Sequence, residues 1–145
     1  MRKNSLAVSC LVGAMAVLAL GTSADAQVRR RNLPPPVQTI PPEIESLLDD
    51  PAAVNTPSRW QRPPFPTMND FPPRALLENQ SGVVELACMA TANGQVRYCK
   101  AVSETPEGYD FGHYAAAVAL RGRLRAAEDN NPVRIVRLRL TMSLE

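Results

Sequence analysis

The chain has 145 residues, room for one ordinary domain, with 16 basic and 14 acidic side chains and a formal net charge of +2. That near balance gives no support for nucleic-acid binding, which needs a concentrated basic surface. Three cysteines and one histidine form no Cys-x-x-Cys, no His-Glu-x-x-His and no Ser-His-Asp spacing, so metal and nucleophilic chemistry have no motif to stand on.

Met1-Arg2-Lys3 is a small basic region, residues 6–21 are apolar or small, and Ala24-Asp25-Ala26 has the pattern a signal peptidase cuts after. Residues 1–26 are expected to be a secretory signal, with the exported chain beginning at Gln27. The apolar run is shorter than the roughly 20 residues a membrane-spanning helix needs. Its retention as an uncleaved anchor is the alternative. Cys10 lies within this run and reads as a small hydrophobe. Cys88 and Cys99 remain in the exported chain, where the compartment permits a disulfide.

Residues 27–69 read as a proline-rich tether, punctuated at Pro34, Pro35, Pro36, Pro41, Pro42, Pro51, Pro57, Pro63, Pro64 and Pro66. Each proline removes a backbone donor and fixes φ, so an extended and largely solvated segment is expected. A short helix is expected over 42–49, where proline and acidic residues lead and Ile44, Leu47 and Leu48 supply apolar positions. Such a helix is too short to persist alone. Trp60, the single tryptophan, is either an anchor onto the domain or a partner contact. Arg29 to Arg31 read as a solvated charge run.

Residues 70–145 carry the folded part. Asp70 to Gln80 predicts a helix of about two turns, begun by prolines and stopped at Ser81-Gly82. Two alternating segments around Asn93-Gly94 predict a β-hairpin. Its first strand places Val84, Leu86, Cys88 and Ala90 on one face. Its second sets Val96, Tyr98, Lys100 and Val102 against Arg97, Cys99 and Ala101. A two-residue type I′ turn puts Cys88 across from Cys99, within reach of a bridge; a type I turn with a glycine bulge puts Cys88 across from Tyr98 and separates the thiols. The Asn-Gly pair suits the first register, and a hydrogen-bonded strand pair would be the less comfortable place for a bridge.

Phe111, Ala115, Val118, Ala119 and Gly122 recur at helical spacing and predict an amphipathic helix over 111–125. After a turn at 128–132, Val136, Leu138, Leu140, Met142 and Leu144 alternate with Arg137, Arg139, Thr141 and Ser143, as in a half-buried strand with an arginine-bearing solvent face. The pieces assemble into an α+β domain, a small antiparallel three-stranded sheet covered on one face by helices.

Residues 71–144 resemble the C-terminal domain of TonB and related periplasmic energy transducers. Phe71-Pro72-x-x-Ala75 is similar to the family's Tyr-Pro-x-x-Ala, and Gly82-x-Val84 with Asn93-Gly94-x-Val96 to its hairpin. Ser103-Glu104-Thr105-Pro106-x-Gly108-x-x-Phe111-Gly112-x-x-Ala115 is similar to a segment of one family branch, and Asn131-Pro132-Val133 to its Gly-x-Pro-Val turn. Departures are Leu124-Arg125-Ala126-Ala127 where an aromatic and Pro-Ala are usual, Gly122 at the preceding aromatic position, and a tether without long Glu-Pro and Lys-Pro repeats.

The resemblance implies a two-layer fold and a periplasmic, non-enzymatic protein without cofactor. Its last strand, on Arg134, Val136, Arg137, Leu138, Arg139 and Thr141, would pair by β-augmentation with an extended segment of a periplasmic or outer-membrane protein, such as a TonB-box-like peptide. Arg137 and Arg139 would favour an acidic or polar segment, or else serve only to keep an exposed edge soluble. The alternative is an inner-membrane-anchored transducer driving outer-membrane receptors, whose extended tether would reach on the order of 140 Å at about 3.1 Å per residue. A metalloprotein or enzyme would have to use Cys88, Cys99 and His113.

Overall fold

The computed structural model describes residues 34–53, 58–128 and 131–144. The expected secretory signal, its anchor alternative, Cys10 and Arg29 to Arg31 lie outside the described residues. Among the described residues no helix is long and apolar enough to cross a membrane.

The elements, in chain order, are helix α1 (Pro42–Asp49), strand β1 (Trp60–Arg62), helix α2 (Pro73–Leu77), strands β2 (Gly82–Ala90) and β3 (Val96–Thr105), helix α3 (Phe111–Ala119), and strands β4 (Arg123–Leu124) and β5 (Arg134–Met142). Short 3-10 turns cover Pro51–Ala53 and Met68–Asp70. The class is α+β: an antiparallel sheet of order β3-β2-β5, beside a two-stranded antiparallel ribbon of β1 and β4.

Strand alternation builds the main core. Val84, Leu86, Cys88 and Ala90 of β2 join Val136, Leu138, Leu140 and Met142 of β5 on one face, under Phe111, Ala115, Val118 and Ala119 of α3. Small alanines let the helix lie close to the sheet, and Phe71 meets Phe111 edge-on with centroids 6.5 Å apart.

The hairpin turn differs from the two-residue form the Asn-Gly pair suggests. Thr91 C=O accepts the Gly94 N–H at 2.9 Å, Thr91 N–H donates to Gln95 C=O at 3.0 Å, and Gly94 takes φ +84°. This is a type I turn with a glycine bulge, and Ala90 accordingly pairs with Val96. A further irregularity absorbs Arg97, so that Met89 pairs with Tyr98 and Cys88 with Cys99. The slip also brings Val96 and Cys99 to the same face, which strict alternation would have separated.

Both helices that close on this core are shorter than expected. α2 has five residues and ends in a Schellman motif: Asn79 is left-handed at φ 49°, Gln80 N–H donates to Ala75 C=O at 2.8 Å and Asn79 N–H to Leu76 C=O. Asn79 stops the helix before Ser81-Gly82 is reached. α3 ends at Ala119 instead of Arg125 because the chain turns at Gly122 to let β4 pair with β1. A Cβ at Gly122 would collide with the ring of Trp60 and stand 2.8 Å from Pro64 Cδ. The half-buried Trp60 therefore acts as an anchor, seated on the backbone where the helix would otherwise have continued.

The second face of the sheet is covered in part by α1, which corrects the one-sided arrangement, while most of the described residues of 34–53 stay exposed. Leu48 of α1 is 1% exposed and packs with Ala87, Met89 and Ile135, flanked by Ile40, Ile44 and Tyr98. Glu45 and Asp49, one turn apart, hold Lys100 Nζ of β3 at 3.0 and 2.9 Å. Bonds from Asp49 and then Glu45 keep that ammonium above its ordinary pKa. The helix expected over 42–49 is present, and it persists because the sheet supplies the packing it lacks alone.

Candidate peptide-binding edge

β5 lies at one side of the three-stranded sheet, with β2 paired along its whole length from Gly82↔Met142 to Ala90↔Arg134. Among the described residues no strand lies on its outer side. The parity of its main-chain groups follows from the cysteines. Cys99 N–H points away from β2, to Gln38 Oε1 at 3.3 Å, so Cys88 and Cys99 form a non-hydrogen-bonded pair, where cross-strand side chains come closest. Their Cα atoms are 4.1 Å apart and the disulfide is formed. Main-chain groups of Cys88 then point toward β5, and alternation turns the N–H and C=O of Ile135, Arg137, Arg139 and Thr141 outward.

The side chains divide by face. Val136 and Leu138 are buried in the main core, as are Leu140 and Met142. Arg139 and Thr141 are exposed on the second face beyond the cover of α1, Arg139 in register with Glu85. Arg137 is half-buried, its Nη2 reaching the Leu48 carbonyl at the C-terminal end of α1, where a cation is favoured. Arg134, expected on the rim, is only 7% exposed: its Nη2 donates to the Arg125 carbonyl at 3.1 Å, and its buried Nε has no hydrogen-bond partner among the described residues. It belongs to the core end of the strand. The arginine-bearing solvent face is thus reduced to Arg139, with Arg137 shared between solvent and α1.

The opposite edge, β3, is occupied in part by the chain itself. Besides Gln38 on Cys99, the Pro35 carbonyl accepts His113 Nε2 of α3 at 2.6 Å. A cavity of about 250 Å³ separates residues 36–40 from Cys99, Lys100, His113 and Ala116. His113 thus fastens the N-terminal segment, and the cysteines are tied to each other. Among the described residues no three His, Cys, Asp or Glu side chains are grouped to hold a metal ion.

The Ser103 to Ala115 motif is structural. The Glu104 carboxylate accepts the N–H of Gly108 at 3.1 Å, of Asp110 at 3.3 Å and of Gly112 at 2.6 Å. It thereby folds the loop back and meets the first turn of α3 with negative charge. Sequence reasoning assigned no role to Glu104; it stands seven residues before the helix start and reaches the N–H groups of Asp110 and Gly112 only because the loop folds back, which no local spacing rule announces.

No protein-family model and no curated protein matches this chain. The functional reading accordingly rests on the geometry of the two edges.

Proposed function

We propose that the chain is an exported, TonB-like binding module of the periplasm, without enzymatic activity, which takes an extended segment of a periplasmic or outer-membrane protein along the outer side of β5. The observation that carries this reading is the asymmetry of the sheet: β5 is open among the described residues over Arg134–Met142, whereas residues 35 and 38 of the chain already engage β3 and α3. An open edge offers a row of main-chain donors and acceptors to a visiting strand. Neighbouring side chains set its preference, with Arg139 and the outer part of Arg137 on one face favouring acidic or polar residues in the guest. Docking of α1 on the sheet shortens the free tether that a membrane-anchored transducer would need, which supports a binding module over the transducer alternative.

The test uses the parity of the strand. Proline at an outward-facing N–H removes a donor to the guest without removing a ladder bond to β2. Arg139→Pro should abolish capture of a periplasmic or outer-membrane segment while circular dichroism and the thermal midpoint stay near wild type. Arg139→Glu should weaken capture of acidic segments and leave main-chain pairing intact. Crosslinking in cells from Thr141 should recover the same segment. Capture by Arg139→Pro at wild-type level would overturn the reading.

A further inference from the structure

We propose that the β1–β4 ribbon and the segment after it form a docking surface for an anionic lipid bilayer, a site separate from the β5 edge and independent of any peptide bound there. Arg62 and Arg123 face each other directly across the ribbon. Like charges in that position destabilise a strand pair. Both are exposed, together with Arg59 and Arg125 at the ends of the same strands, and among the described residues none of the four makes an ion pair. By contrast Arg121, two residues before Arg123, is neutralised by Asp70 at 2.7 Å. Gln61, Arg62 and Arg123 line an open hollow of about 400 Å³. Two arginines paired across the ribbon and lining one hollow offer the guanidinium chemistry that engages phosphate oxygens bidentately.

Exposed apolar side chains follow in the segment after β1. Phe65 is 76% exposed and Met68 72% exposed. Both lie on a segment held against the β4 end of the ribbon, because Pro64 packs on Gly122 and Asp70 pairs with Arg121. Pro63, Pro64 and Pro66 stiffen the backbone around Phe65, so little freedom is lost when it is immobilised. A free phosphate would use the arginines alone, and an acidic peptide would give the two apolar groups no bilayer to enter. Cations that meet headgroup phosphates, next to an aromatic and a methionine that enter the acyl boundary, describe a lipid surface.

Trp60 makes the test local, since it is the single tryptophan and lies in β1. The full chain is mixed with vesicles of phosphatidylglycerol and phosphatidylcholine, with phosphatidylcholine vesicles alone, with inorganic phosphate, and with an oligoglutamate peptide. The expected result is quenching of Trp60 by brominated acyl chains only in the anionic vesicles. Arg62→Gln with Arg123→Gln should weaken that response roughly thirtyfold, about fivefold per arginine. Phe65→Ser with Met68→Ser should weaken it as well, and Trp60 emission before vesicles are added should match wild type for both variants. The proposal is overturned by equal quenching in phosphatidylcholine, by quenching unchanged in either double variant, by an equal Trp60 response to inorganic phosphate without vesicles, or by an equal response to oligoglutamate.

Discussion

Cys88 and Cys99 face each other across β2 and β3 even though the turn joining those strands is one residue out of step with that pairing. The irregularity at Arg97 restores the register and places the thiols in a non-hydrogen-bonded pair in the core, where the disulfide forms. The bridge closes a loop with a sequence separation of 11 residues. Constraint of so short a loop in the unfolded chain is worth about 3 kcal/mol. Cys88→Ala with Cys99→Ala should lower the unfolding free energy by about that amount in urea titrations, and wild-type protein with reductant should fall to nearly the same midpoint.

The Glu104 carboxylate replaces water for three backbone N–H groups around the start of α3. Glu104→Ala leaves those donors without their partner and should cost about 2 kcal/mol. Glu104→Gln, which keeps one acceptor oxygen, should cost less. Hydrogen exchange at Gly108, Asp110 and Gly112 should accelerate in Glu104→Ala before the rest of the sheet is affected.

Leu48 is the buried residue of α1, and the ion pairs of Lys100 with Glu45 and Asp49 lie at the surface. Burial should therefore decide whether α1 stays docked. Leu48→Ala is expected to cost about 2 to 3 kcal/mol, whereas Lys100→Gln should cost under about 1 kcal/mol. Limited proteolysis should cut within residues 34–53 of Leu48→Ala well before it cuts wild type, and Lys100→Gln should resist almost as wild type does.

Asp70 links the 3-10 turn to Arg121. Burial raises its pKa, but the Arg121 guanidinium and the main-chain and hydroxyl donors of Thr67 outweigh that and hold the carboxyl below its ordinary value of 3.8. A depressed carboxylate contributes stability that is fully present above the unfolded pKa and is lost as pH falls through the native one. Acid titration should show stability falling below about pH 4. Arg121→Ala should lower stability by about 1 kcal/mol at neutral pH and flatten that acid limb, because Asp70 then titrates nearer its unfolded value.

The elements were legible where one local rule dominated. Alternation from Val136 to Met142 marked β5, and Pro42 followed by Ile44 and Leu48 marked α1. What escaped depended on contacts distant in sequence. The apolar stripe of residues 111–122 cannot reveal that Trp60 occupies the space beside Gly122, so α3 was read too long. Proline content describes what residues 34–53 cannot form, but not that Leu48 has a hollow waiting between Met89 and Ile135. At the candidate edge, alternation placed Arg137, Arg139 and Thr141 on one face correctly. Arg134 was misplaced because its burial depends on the Arg125 carbonyl, nine residues away.

The hold of Gln38 on the Cys99 N–H bears on what many copies do together. A sheet with both flanks available can recruit neighbours indefinitely and grow into a fibre. Under the proposed function, a flank whose Cys99 N–H is already held by residue 38 of the same chain is a poorer template for a second strand, which would favour one-to-one pairing at β5 over filaments.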